Sequence, residues 1–168
     1  MGRKENSMTT EKKIQELLTW LTAQDINYEF IRHARGGTTT EASEALGVDQ
    51  SEVLKCLLFK GQSEEFIGVI ITGNRRVSPE KLKEITNTNF KLASPREVLV
   101  HTGHEVGGIP PFAFSISGIP GYVDSSVIQH QWVYGSAGSA TTGIKFSPLS
   151  LEKVGYKAVN VTEVKNNE

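Results

Sequence analysis

The sequence predicts an α+β fold in a single domain. Three observations carry this. Apolar residues recur at helical spacing in some segments and at strand spacing in others, with no regular alternation of the two. Two apolar runs, Val53–Lys60 and Phe66–Thr72, are joined by a short polar stretch containing Gly61, as in a hairpin. Eight of the sixteen glycines fall between Gly103 and Gly143, among short β-like runs. At 168 residues the chain suits one core, since folding at this size hides roughly 70% of the unfolded surface. No repeat, low-complexity segment or interdomain linker interrupts it.

The elements follow in order. Residues 1–10 carry no core pattern and are expected to form a disordered tail, with the folded domain spanning 11–168. Ile14, Leu17, Leu18 and Leu21 predict an amphipathic helix near residues 11–23. Ile26, Tyr28 and Phe30 alternate with polar residues, as in a half-buried strand. Thr38-Thr-Thr-Glu41 fits a capping box that opens a short helix, with Ala42, Ala45 and Leu46 inward and Gly47 as its stop. After the hairpin, Ser78-Pro79 and Ser94-Pro95-Arg96-Glu97 start two more helices, each with an N-cap serine and a proline in the first turn. Gly103 ends the second. Strands are expected at Phe112–Ser117, Tyr122–Val127 and Gln131–Tyr134, separated by tight glycine turns. Ser147-Pro148 begins a last helix carrying Leu149, Leu151 and Val154.

Composition excludes several classes. Apolar residues make up 38% and charged residues 22%, which fits neither a disordered chain nor a membrane protein. No apolar run approaches the length of a membrane span, about 20 residues. The polar N-terminus lacks a secretory h-region. With Cys56 the only cysteine, no internal disulfide is possible, and a cytoplasmic location is expected. The net charge of −1 argues against a general polyanion binder. A local basic rim is compatible with it, and Arg32, Arg35, Arg75, Arg76, Lys81 and Lys83 are its candidates, a solvated surface being the alternative.

Lys55 is the first chemical anomaly. On a strand it shares a face with Val53, Leu57 and Phe59, so it either reaches water from an edge or aims a cation into a binding site. Gly107-Gly108-Ile109-Pro110-Pro111-Phe112 is the second. Such a loop can offer backbone groups to a carbonyl or developing oxyanion, or be an ordinary turn. Asp124 stands in a charge-poor stretch and is either placed for substrate hydrogen bonding or caps the strand end. Gly135-Ser-Ala-Gly-Ser139 lacks the Gly-Lys-Ser/Thr ending of a P-loop, and no GxGxxG follows a strand. His101 and His104 have no third ligand at recognisable spacing, so no metal and no cofactor is expected. Cys56 lies on the opposite strand face from Lys55 and reads as a buried structural thiol. No serine elbow or Ser/His/Asp set is present.

Taken together, these segments resemble the YbaK-type family of aminoacyl-tRNA deacylases, found also as the editing domain of bacterial prolyl-tRNA synthetases. The matching elements are His33 with Thr38–Ser43, Val53–Phe59, Gly73–Val77, Ala93–Glu97, Thr102–Phe112, Tyr122–Asp124, and Val133–Gly138 running into Ile144–Pro148. The resemblance implies a mixed, strongly curved β-sheet with flanking helices. It implies hydrolysis of the ester joining a wrong, small amino acid (Ala, Cys, Ser or Thr) to a non-cognate tRNA, with tRNA-Pro the leading candidate. Partners would be the aminoacyl-tRNA acceptor end and prolyl-tRNA synthetase, with no DNA and no membrane. Carried over by motif, Lys55, Gly107 and Gly108 are the expected catalytic residues. His33, Thr39, Pro111, Phe112, Asp124 and Gly138 are expected to bind substrate, and Arg75 and Arg76 to bind tRNA. The family often has glycine where Ala113 follows Phe112 here, a change expected to narrow the pocket. Two other readings compete: a non-catalytic sensor of aminoacyl-tRNA or free amino acid, and a metal-dependent hydrolase using His101 and His104.

Overall fold

Ile14, Leu17 and Leu21, one helical face, are all buried on α1 (Gly2–Ala23). The computed structural model describes residues 2–165, with side chains from Thr10 to Lys165. The tail expected over residues 1–10 therefore lies, up to residue 9, outside the described side chains. β1 (Tyr28–Arg32) follows, then α2 (Thr39–Leu46). Thr38 accepts the Glu41 N–H at 3.1 Å at the start of α2, and Gly47 ends it at φ +71°. A 3-10 turn at Gln50–Glu52 leads into the hairpin of β2 (Leu54–Gly61) and β3 (Phe66–Thr72), with Lys55 opposite Ile71.

β4 (Arg75–Val77), α3 (Pro79–Thr86), β5 (Phe90–Leu92) and α4 (Pro95–Thr102) come next. Ser78 and Ser94 cap the two helices as expected, and the Ser94–Glu97 box is reciprocal. Glu97 also pairs with Lys60 at 2.7 Å, tying α4 to the hairpin.

The glycine-rich third departs from the sequence reading. Phe112–Ser117 is not a strand: it holds α5 (Ala113–Ile116). Phe112, Ala113 and Phe114 are all buried in succession, and their backbone joins none of the described sheets. The Pro110 carbonyl instead accepts the Ala113 N–H, and the Phe112 carbonyl accepts that of Ile116. The Phe114 ring lies directly on β3 at Gly68, where an added Cβ would stand 2.2 Å from it. β6 (Gly121–Asp124) stops short of the expected Val127, because Asp124 caps the single turn α6 (Ser125–Ile128). β7 (Val133–Ser136) begins two residues later than expected and pairs with β8 (Thr142–Phe146), a strand the sequence reading lacked. α7 (Leu149–Lys153), β9 (Lys157–Val159) and β10 (Thr162–Val164) complete the chain, with Leu151 buried and Leu149 exposed.

Strand pairing gives three sheets, ordered β5-β2-β3-β6-β9, β1-β8-β7 and β10-β4. The five-stranded sheet is mixed: β3-β6 and β6-β9 are parallel, the rest antiparallel. One core joins α1, β7, β8, Phe112, Phe114 and one face of this sheet. A second core, with Val69, Ile71, Leu82 and Val161, covers the other face. Burial on both faces explains the unbroken apolar run of β3. Among the described residues no helix is long and apolar enough to cross a membrane.

Candidate active site

The two larger sheets meet where Val53, just before β2, makes a parallel bridge to Tyr134 of β7. A cavity of about 400 Å³ lies at this joint. One wall is the start of β2, Leu54 to Leu57 with Lys55. Opposite stand Gly36 to Thr40, entering α2, and Val106, Gly107 and Ile109 of the loop after α4. Tyr134, Gly135, Ser136, Ser139 and Thr142 form the floor, and Lys165 follows β10 to the same cavity. Among the described residues no aspartate or glutamate lines it.

The strand alternation places Lys55 as expected. Leu57 and Phe59 on its face pack into the second core, while Leu54, Cys56 and Leu58 pack into the first. The second core runs out at Lys55, which is half-buried and faces the cavity. Among the described residues its ammonium has no hydrogen bond or ion pair. Burial, and then the charge of Lys165, hold its ammonium below the ordinary lysine value of 10.5. Neighbouring Cys56 is pushed up to about 12 by burial, so its thiol stays protonated and is no nucleophile near neutral pH.

His33 lines the cavity, and its Nδ1 lies 2.6 Å from the Ala34 carbonyl. That carbonyl can only accept, so Nδ1 carries the proton and a neutral ring leaves Nε2 as an acceptor. Thr38, Thr39 and Thr40 bring the amino end of α2 to the cavity, where its dipole favours negative charge.

The glycine pair divides. Gly107 has φ +84°, lines the cavity, and its N–H has no partner among the described residues. Gly108 donates its N–H to the Glu105 carbonyl at 2.9 Å, which removes it as an oxyanion donor. Gly107→Ala should therefore be the harmful change: a Cβ would meet the Gly37 carbonyl at 3.2 Å, and the left-handed backbone adds about 1–2 kcal/mol of strain. Urea unfolding and cavity-dependent activity should both fall. Gly108→Ala, with 3.6 Å to its nearest neighbour, should be close to native in the same assays.

Several expected site residues lie elsewhere. Phe112 is fully buried between Trp20 and Phe146, with ring centroids at 5.8 and 4.8 Å. Neither it nor Ala113, the position expected to narrow the pocket, lines the cavity. Pro111 stands behind the β7 wall, where it meets Gly135, and its carbonyl accepts the Tyr156 hydroxyl. Gly138 sits beside His104, outside the lining. Asp124 is buried away from the cavity and fully engaged by Ser126, the Val161 N–H and Thr162. Burial alone would raise its pKa, but these hydrogen bonds outweigh it and hold the carboxylate ionised. The capping reading of Asp124 is the one the fold adopts. Arg75 bonds Thr162 and Arg76 pairs with Glu163 at 2.8 Å, so both lie on the β4–β10 ribbon with partners.

His101 stacks on Phe66, while His104 is half-buried near Lys13 and pushed down to about 4 by that desolvation and that charge. Among the described residues no three His, Cys, Asp or Glu side chains cluster to hold a metal ion.

This geometry coincides with a family match. The model of the aminoacyl-tRNA editing domain matches residues 33–154, which include all of the cavity lining except Lys165. The chain belongs to the aminoacyl-tRNA editing domain family. Relatives of this editing domain include the uncharacterized protein YwhH of Bacillus subtilis (strain 168), 30% identical over 78% of the chain and 83% of YwhH. The proline–tRNA ligase of Thermotoga sp. (strain RQ2) is 36% identical over 47% of the chain, a stretch that is 14% of the ligase. Among solved structures, the hypothetical protein APE2540 superposes with a TM-score of 0.82 at 31% identity, covering 90% of this chain and 99% of the other. A candidate trans-editing enzyme for prolyl tRNA synthetase shares the fold, with a TM-score of 0.77 at 21% identity, 90% of this chain and 97% of that one.

Lys165 is the lining residue the sequence reading missed. It follows a polar C-terminal stretch with no periodicity, so only the β10–β4 pairing brings it to the cavity. Ser136 and Ser139 lay in a loop noted for its small residues but weighed only against phosphate motifs.

Proposed function

We propose that this chain is a trans-editing hydrolase. It would remove a small amino acid, such as Ala, Cys, Ser or Thr, from a non-cognate tRNA, with tRNA-Pro the leading candidate, without a metal. The observation that carries this is Lys55: a partly desolvated cation that shares the cavity with Gly107, with no carboxylate in the lining among the described residues. Synthetases separate small side chains poorly, since one methylene is worth only about 1–3 kcal/mol, and a second hydrolytic site corrects the errors.

In this reading the terminal aminoacyl-adenosine enters with its ester between Lys55 and Gly107. Water attacks the carbonyl carbon, and negative charge gathers on the carbonyl oxygen. The Lys55 ammonium and the Gly107 N–H stabilise that oxygen. The C–O bond to the ribose then breaks, the ribose oxygen takes up the proton that the attacking water gives up, and amino acid and tRNA leave. His33 Nε2 and the Thr39 hydroxyl would orient the ribose or the amino group.

The test is deacylation of Ala-, Cys-, Ser- and Thr-charged tRNA, with and without EDTA. Hydrolysis of one member at a rate indifferent to EDTA is expected. Loss of activity on chelation would discard the metal-free route. Silence across the panel from a protein that still binds one of these tRNAs would make it a sensor instead.

A further inference from the structure

Two lysines share the cavity, and among the described residues no acidic side chain lines it. Lys55 comes from the rigid hairpin and is half-buried. Lys165 comes from the far end of the chain and is exposed, so it stands nearer the mouth. Its ammonium donates to the Gly73 carbonyl at 3.1 Å. Gly73 is packed so closely on Thr39 that a Cβ there would approach it to 2.8 Å. Lys165 is thus held against the α2 rim by a neutral acceptor, and among the described residues no carboxylate pairs with its charge. Two like charges around one cavity repel, and an anionic ligand between or beside them removes that penalty. Lys165 also lies beyond residue 154, where the family match ends, so this second cation belongs to the C-terminal segment of this chain.

We propose that Lys165 is a positioning residue that grips a backbone phosphate of the substrate's single-stranded 3′ end at the cavity mouth, while Lys55 faces the ester. This rests on the editing reading. The order of the two cations, inner and outer, matches the order of ester and phosphodiester along an aminoacylated 3′ end. A lysine suits the outer role because it meets phosphate as a compact point charge on a flexible stem.

The test uses two non-hydrolysable probes, 3′-alanylamido-3′-deoxyadenosine and the same compound bearing a 5′-phosphate. Native protein is expected to bind the phosphorylated probe at least tenfold more tightly. Lys165→Gln should erase that increment and leave affinity for the unphosphorylated probe unchanged, and Lys165→Arg should retain most of it. With whole aminoacyl-tRNA, Lys165→Gln should raise KM, leave kcat near native, and reduce the salt slope of binding by about one. An increment that survives in Lys165→Gln overturns the proposal, as does equal weakening toward both probes. If native protein binds neither probe, the editing reading of the cavity falls, and this proposal with it.

Discussion

Replacing Lys55 by alanine should lower deacylation by about 10²–10⁴-fold while the protein stays folded, the range expected for loss of an electrostatic or proton-transferring group. Folding should survive because the Lys55 ammonium holds no hydrogen bond or ion pair among the described residues and stands where the second core ends. Removing it also relieves repulsion from Lys165. The same group sets the high-pH behaviour. In the proposed mechanism its charged form is the active one, and its pKa lies below the ordinary lysine value of 10.5. Activity should therefore be full at lower pH and fall on the alkaline side before a free lysine would titrate. The measurement is the enzymatic rate from neutral to alkaline pH, after subtraction of spontaneous ester hydrolysis. A folded Lys55→Ala protein that deacylates at the native rate would sink the assignment of this cavity as the editing site.

Phe112→Ala should be the most damaging core change, destabilising by about 3–5 kcal/mol. Against a total of roughly 5–15 kcal/mol, that is a large share of the fold's stability. The ring is fully buried and touches Trp20 of α1 and Phe146 of β8, so its loss opens a void between helix and sheet. Urea unfolding would read this directly. Phe112→Leu, which keeps most of the volume, should fold and retain the native amino-acid preference. A stable Phe112 variant with altered preference would return the residue to the binding site.

These two residues mark what the sequence does and does not reveal. Lys55 was legible because a charge on an apolar strand face violates a two-residue period, and the hairpin kept that period. The caps at Ser78 and Ser94 were legible because capping is local chemistry. Phe112 misled because three successive buried residues read like a strand when the layers above and below are unknown. Gly108 looked equivalent to Gly107 until its N–H was seen turned back onto Glu105. Asp124 looked like a site residue because it stood alone in a charge-poor stretch. Its partners, Val161 and Thr162, come from a distant segment. β8 and Lys165 were illegible for the same reason: each is placed by pairing with a strand far away in sequence.

That remoteness has a consequence for how the molecule is made. Tyr28 pairs with Phe146, and Val77 with Thr162, so two of the three sheets close only between distant parts of the chain. Closing such loops loses entropy before any contact repays it, and topologies of this kind fold slowly. The β2–β3 hairpin can form as soon as it leaves the ribosome. The β7–β8 part of the lining must wait for Thr142 to Phe146, and the lysine at the mouth must wait for β10. A growing chain would thus carry Lys55 on a formed hairpin long before the rest of the cavity lining had been made.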